Sequence, residues 1–216
     1  MSKLPEIRIF YAGLLERESV ILAKSYASEI ENYEEAERKV ELYRKEWYKY
    51  EHRLVQFITN TLELEFYKPV IDVHIAQKFI PKSAPLIIDL QYSPDQFLDI
   101  LTHELIHVLL TDNKLIQING KHIGHRIADR WYKLLSKDHS FTTLIHIPVH
   151  AVMAKVFTEF YHDDKRKVRD IKTTESYGLV DYQKSWDFVE KNGYQKIVDL
   201  FKEDYKNFAE ELVGTR

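Results

Sequence analysis

The sequence predicts a mainly helical α+β fold organised as a single domain, residues 1–216. Three observations predict it. Residues 16–64 contain no proline or glycine and carry apolar side chains at helical spacing. Two short apolar segments that follow have the length and alternation of strands, and helix-start signals then recur toward the C-terminus. A chain of 216 residues with 44% hydrophobic residues is long enough to bury one core.

The N-terminal stretch 16–64 reads as one long helix. Its apolar and aromatic residues fall on two rows with a spacing of seven, which is the pattern of a seam along one face. Tyrosine and tryptophan are bulky for a tight two-stranded seam, so packing within the same chain is favoured over a homodimer arm, which is the alternative. The rows are Tyr33, Val40, Trp47 and Leu54, and Ala36, Tyr43, Tyr50 and Phe57.

A small sheet is predicted directly after this helix, which Pro69 ends. Residues Ile71–Ile75 alternate apolar and polar side chains, as a half-buried strand does. A second apolar strand, Leu86–Leu90, follows Pro85. The short connection between the two favours their pairing in one sheet.

The second half of the chain is predicted to be helical. Ser93-Pro94-Asp95-Gln96 is a strong helix start, because serine caps, proline suits the first turn and glutamine completes a capping box. Pro148 is predicted to open a later helix that continues through Tyr161. The charged run "DDKRKVRD" at 163–170 reads as a solvated loop. Further helices are predicted at Ile123–Leu135, Ser185–Lys191 and Tyr194–Leu212, so that the metal-site core spans 69–161 and C-terminal helices occupy 184–213.

Composition narrows the class of protein. The formal net charge of -3 gives no broad basic field, so nucleic-acid binding is not expected for the chain as a whole. Cysteine is absent, so a metal would be held by His, Asp or Glu. The short apolar N-terminal patch, broken by Arg8, does not have the pattern of a signal peptide, and no run of 18 apolar residues indicates a membrane span. We therefore expect a cytoplasmic protein without membrane partners.

The motif His103-Glu104-Leu105-Ile106-His107 contains the residues that the sequence indicates for metal binding and proton transfer. Residues four apart lie on one face of a helix, so His103 and His107 can offer both imidazoles to one zinc ion. Glu104 lies about 100° further round, where it can accept a proton from a metal-bound water. The flanking residues are almost all aliphatic, and two histidines and a glutamate are costly to bury there without a partner. A metal is the natural partner.

The segment "LTHELIHVLL" resembles the active-site helix of zincin metallopeptidases, in the gluzincin and SprT-like neighbourhood. The resemblance implies a zincin-like fold in which a sheet edge lines the substrate cleft. It also implies that His103 and His107 are zinc ligands, that Glu104 is the general base, and that peptide or protein substrates are hydrolysed. The longer metzincin pattern is not met, because Leu110 and Asn113 stand where that pattern has glycine and histidine.

The third zinc ligand is not given by the motif, and several residues compete for it. His150 is favoured, because a helix that opens at Pro148 would place it in the first turn at the mouth of an apolar face. His146, just before that proline, is an alternative as ligand or as a residue that orients one. The other candidates are His122 or His125 as in SprT-like proteases, Glu159 as in gluzincins, and Asp129.

The sequence thus predicts a zinc metallopeptidase with Glu104 as base and His103, His107 and His150 as ligands. Two alternatives stay open. One is a non-catalytic, zinc-binding interaction module whose working surface is the long N-terminal helix. The other is an SprT-like protease acting near DNA, which would require basic residues to converge beside the site. Tyr161, Tyr177 and Tyr182 are available by type as donors to an oxyanion, and the sequence selects none of them.

Overall fold

The computed structural model describes residues 4–13, 33–118, 121–122, 125–135 and 138–214, and it describes side chains except at 117–128, 209 and 212–214. Within these residues the fold is mainly helical with a small mixed sheet, which confirms the predicted α+β class. The chain forms two compact units. Unit 1 contains Met1–Arg53 and Lys68–Val108, and unit 2 contains Leu54–Tyr67 and Leu109–Arg216. Both units are therefore discontinuous in sequence.

The four-stranded sheet belongs to unit 1 and has the order β1-β2-β4-β3. β2 (Val70–Ala76) and β4 (Leu86–Asp89) are the two predicted strands, and they pair in parallel. β3 (Lys82–Ser83) pairs antiparallel with β4. The structure adds β1 (Glu6–Tyr11), parallel to β2, which the sequence analysis did not predict.

β1 was missed because Arg8 interrupts its apolar residues. Ile7 and Ile9 are buried while Arg8 lies between them on the exposed face, which is the alternation of a half-buried strand. The guanidinium of Arg8 lies 2.7 Å from the carboxylate of Asp72 on β2. The cross-strand partner makes a charged residue compatible with this position.

The predicted long helix is two helices in the described residues, α1 (Tyr33–Tyr48) and α2 (Glu51–Leu62), separated by a turn at Lys49 and Tyr50. The part of the prediction that covers 16–32 lies outside the described residues. Much of the seam faces inward, because Val40, Tyr43 and Trp47 are fully buried, whereas Tyr33 at the start of one row is 64% exposed. Tyr43 stacks on Phe97 with ring centroids 4.2 Å apart, within unit 1.

The motif helix, α3 (Pro94–Thr111), begins where the sequence predicts. The backbone N–H of Gln96 donates to Ser93 Oγ at 3.3 Å, and the N–H of Ser93 donates to Gln96 Oε1 at 3.1 Å. These reciprocal bonds are the predicted capping box. They fix the first turn of the helix that carries the motif three turns further on.

The helix that holds His146 and His150 begins earlier than predicted. α5 (Phe141–Lys155) starts after Ser140, whose hydroxyl accepts a hydrogen bond from Thr143 N at 3.0 Å. Pro148 therefore lies inside the helix and does not open it. A π-helical turn, Val156–Phe160, continues α5, with Tyr161 N donating to Val156 O at 3.0 Å. The prediction of a helix start at Pro148 was wrong because the N-cap of Ser140 supplies a stronger local signal.

The remaining elements complete unit 2. The charged run 163–170 was predicted as a loop, but it forms the N-terminal part of α6 (Asp164–Ser176). Asp163 caps this helix, because its side chain accepts a hydrogen bond from Lys165 N. The predicted C-terminal helices are α7 (Val180–Asn192) and α8 (Tyr194–Gly214), separated at Gly193, whose φ of 81° suits glycine. The remaining predicted helix is α4 (His125–Leu134), and β5 (Gln117–Ile118) pairs antiparallel with β6 (Lys121–His122).

Among the described residues, one helix is long and apolar enough to cross a membrane. It spans Phe141–Phe160, and 72% of its most apolar window is buried inside the protein. The core helix of a soluble protein has the same properties, so length and composition do not distinguish the two.

Candidate metal centre

The two motif histidines meet on one face of α3. His103 Nε2 and His107 Nε2 lie 3.2 Å apart, which is the consequence of their i, i+4 spacing. His103 is half-buried and His107 is 9% exposed. Two nitrogen ligands of a tetrahedral zinc ion, each about 2.0–2.1 Å from the metal, are separated by about 3.3 Å. The observed separation therefore fits the binding of one ion by both histidines.

Glu104 lies next to His103 on the same helix, and its side chain is buried. Burial raises the pKa of its carboxyl to about 8, because desolvation disfavours the charged form. A cation a few ångström away would oppose this effect and favour the carboxylate. The helix that carries His103 and His107 thus also carries a buried carboxyl.

His146 on α5 completes a group of three. The ring nitrogens of His103, His107 and His146 that could serve as ligand atoms all lie within 4.8 Å of one another. Three imidazoles suit zinc and several other divalent transition metals, so the donor set is not specific to zinc. Three protein nitrogens leave the fourth tetrahedral position for water, as in catalytic zinc sites.

The His146 ring is held by its own helix and by its neighbour. Its Nδ1 lies 2.7 Å from the carbonyl oxygen of Thr142, one turn earlier on α5, so Nδ1–H donates and Nε2 carries the lone pair. Burial lowers the pKa of the imidazole to about 4, which keeps it neutral, the form that ligates a metal. The Tyr182 ring lies against it, with centroids 3.9 Å apart.

His150, the predicted third ligand, lies one turn beyond His146 and is not part of the three-histidine group. It is fully buried, and its Nδ1 lies 2.7 Å from the Ser185 hydroxyl. Its ring stacks on the Trp186 indole at 4.4 Å and 11°. His146, the alternative, thus belongs to the group of potential ligands, and His150 packs against α7.

The other candidate ligands are placed differently or lie outside the description. Glu159 forms an ion pair with Lys155 at 2.7 Å on a solvated edge, and Asp129 is exposed. The side chains of His122 and His125 lie outside the described residues. Neither Glu159 nor Asp129 belongs to the group of potential ligands in the described part of the chain.

Several basic residues that an SprT-like protease would place beside the site are paired with acids. Arg130 contacts Asp204 and Glu211 at 2.7 Å each. Lys167 contacts Glu190 at 3.1 Å. The side chains of Lys121 and Arg126 lie outside the described residues. Cations engaged in this way are partly neutralised as contacts for a phosphate backbone.

Comparison with protein-family models, with curated proteins and with solved structures finds no match to this chain. Function is therefore inferred from the residues of the site and their geometry.

Proposed function

We propose that this protein is a zinc-dependent hydrolase of peptide bonds, built on a zincin-like arrangement. The observation that carries the proposal is the convergence of His103, His107 and His146 within 4.8 Å, with Glu104 on the same helix as the first two. Zinc fits the donor set because three imidazoles at this spacing leave one tetrahedral position open. His146 takes the place that the sequence analysis gave to His150.

Each residue of the site has a separate role in this proposal. His103, His107 and His146 would hold the ion. When bound, zinc supplies Lewis-acid polarisation of a carbonyl and lowers the pKa of water in its open position. Glu104 accepts a proton from the attacking water and delivers it to the leaving amine, so its carboxylate must lie within hydrogen-bond reach of the reacting atoms. The aliphatic surroundings of Glu104 limit competing solvent and strengthen its interactions.

The ligand set is tested by metal content. Purified protein should carry about one zinc per chain by elemental analysis, and His103→Ala, His107→Ala and His146→Ala should each lose it or bind it at least about 10-fold more weakly. The matched control is His150→Ala, which should retain zinc at wild-type stoichiometry. Circular dichroism verifies that each variant is folded. Zinc retained in His146→Ala and lost in His150→Ala would return the third ligand to His150.

The reaction is tested with Glu104→Gln, which preserves size and removes the base. The variant should bind zinc like the wild type and lose hydrolysis of fluorescein-labelled casein by at least about 100-fold. The matched control is Glu159→Gln, which should keep activity because Glu159 lies outside the group of potential metal ligands. Wild-type turnover in Glu104→Gln would contradict the assigned mechanism, and absence of zinc from the wild type after supplementation would end the proposal.

A further inference from the structure

We propose that Tyr182 is a positioning residue for the metal ligand His146, which it holds through ring contact. This inference rests on the proposed function, because it takes His146 as a ligand. It goes beyond the motif, since nothing in the sequence distinguished Tyr182 from Tyr161 or Tyr177. All the contacts that carry it lie within unit 2.

The first turns of α5 and α7 are tied together by one carboxylate. Asp181 Oδ1 accepts from the Ser140 hydroxyl at 2.7 Å and from the Thr143 hydroxyl at 3.0 Å. Ser140 is also the N-cap of α5. Tyr182, the residue after Asp181, is thereby brought alongside the first two turns of α5, where His146 lies.

Aromatic side chains of α7 lie against the two histidine rings of α5. α5 presents His146 and His150, four residues apart, and α7 presents Tyr182 and Trp186, also four apart. Each imidazole has its own aromatic neighbour: the His146 and Tyr182 centroids are 3.9 Å apart, and the His150 and Trp186 centroids are 4.4 Å apart. This arrangement gives the buried His150 ring a stacking partner and its Nδ1 a hydrogen-bond partner.

The residues that carry the two aromatic rings make further hydrogen bonds within unit 2. The Trp186 indole N–H donates to Asp170 at 2.9 Å, and the Ser185 hydroxyl donates to the carbonyl oxygen of Tyr182 at 2.7 Å while contacting His150 Nδ1. The Ser185 bond holds the main chain at Tyr182, so the Tyr182 ring projects from a defined point on α7 toward His146.

Two restraints act on the His146 imidazole. The Thr142 carbonyl fixes its tautomer through Nδ1, and the Tyr182 ring covers one face and opposes rotation about the Cβ–ring bond. Loss of an outer partner of a ligating histidine typically costs about 10-fold to 100-fold in metal affinity. We expect the Tyr182 ring to contribute at the lower end of that range, because the hydrogen bond to Thr142 remains.

The test compares zinc dissociation constants, measured by competition with a chromophoric chelator, for four proteins. Tyr182→Leu should weaken zinc binding about 10-fold, and Tyr182→Phe, which keeps the ring, should bind within about 2-fold of wild type. Tyr177→Leu is the matched control, since Tyr177 is 68% exposed and should leave affinity unchanged. Tyr182 is half-buried, so its replacement should leave the chain folded.

The absorption spectrum of the cobalt-substituted protein reports on the geometry of the metal ligands, and a general loss of stability would not change it. The visible absorption of bound Co²⁺ should shift in Tyr182→Leu and match the wild type in Tyr182→Phe. Equal zinc affinity and an unchanged cobalt spectrum in Tyr182→Leu would overturn this inference while leaving the proposed function intact. Weak binding in Tyr182→Phe as in Tyr182→Leu would assign the effect to the hydroxyl and overturn the role of the ring. A wild type without metal would overturn both proposals.

Discussion

At the scale of single residues, Tyr43 shows how one polar atom is accommodated in the core of unit 1. Its ring is fully buried, and its hydroxyl lies 2.7 Å from the carbonyl oxygen of Leu90 and 2.6 Å from that of Tyr92. Both acceptors lie between the last strand of the sheet and the motif helix. The single O–H of Tyr43 is thus shared by two carbonyl oxygens of the connection that leads into the motif helix.

Tyr43→Phe should lower the free energy of unfolding by about 1–2 kcal/mol, because buried carbonyl oxygens lose their donor while the ring packing is kept. Urea denaturation at pH 7 measures the change. Tyr48→Phe is the matched control, since Tyr48 is 64% exposed and should behave like the wild type. Equal stability of both variants would mean that water replaces the lost hydroxyl.

Asp89, at the end of β4, makes stability depend on pH. Burial raises the pKa of its carboxyl above 3.8, although the Gln91 N–H donates to it at 2.9 Å. The folded state then holds this proton more tightly than the unfolded chain does. The contribution of Asp89 to stability is therefore full below pH 3.8 and is lost as the pH rises through the folded-state pKa.

Asp89→Asn cannot lose this proton, and its amide oxygen can still accept the bond from Gln91. The variant should therefore become more stable relative to the wild type as the pH is raised from about 4 to 7. The free energy of unfolding of Asp89→Asn minus that of the wild type should increase over this range. Urea denaturation at several pH values tests this. A difference between the two proteins that does not vary with pH would show that Asp89 titrates normally.

At the scale of elements, the first turn of α5 sets the position of His146. Ser140 caps the helix through Thr143 N and donates to Asp181 on α7, so one hydroxyl joins the start of both helices. Pro148 is buried in the same helix, where it removes one backbone donor. The cap and the packed faces of α5 stabilise the helix despite this loss.

Ser140→Ala should lower the free energy of unfolding by about 1 kcal/mol, the usual cost of an N-cap serine. Thermal unfolding of the metal-free protein measures it. Ser176→Ala is the control, because Ser176 lies at the exposed end of α6 and only donates to Thr173 O of its own helix. A change in Ser176→Ala as large as in Ser140→Ala would argue against a special role for this cap.

At the scale of the whole molecule, a bound metal should stabilise the folded chain by mass action. Free zinc at 100 times its dissociation constant adds about 2.7 kcal/mol, which corresponds to a rise in Tm of roughly 5–10 °C for a chain of this length. Differential scanning fluorimetry with zinc and with excess chelator checks this. His103→Ala should show no zinc-dependent shift, and a shift that persists in this variant would locate binding elsewhere.

The sequence determined those features that depend on residues close together in the chain. The seam of α1, the strands β2 and β4, the capping box of α3 and the i, i+4 pair of His103 and His107 all follow from spacing and local chemistry. The helix start at Ser140 was also local, since a serine cap precedes Thr143. Pro148 is the more conspicuous helix-start signal in this segment, but it lies inside the helix. α6 was missed because its charges resemble those of a solvated loop, although several find partners on neighbouring helices.

Only the tertiary structure distinguished His146 from His150, because His146 alone of the two belongs to the group of potential metal ligands in the described residues. His146 and His150 are one turn apart on α5, so both are plausible ligands by spacing alone. The choice follows from contacts that are distant in sequence: Ser185 and Trp186 on α7 engage His150, while His146 lies with His103 and His107. The environment of Glu104 likewise depends on burial by the folded chain. Local spacing fixes the face of a helix on which a side chain lies, and contacts between residues distant in sequence, such as those of His150 with α7, fix its surroundings.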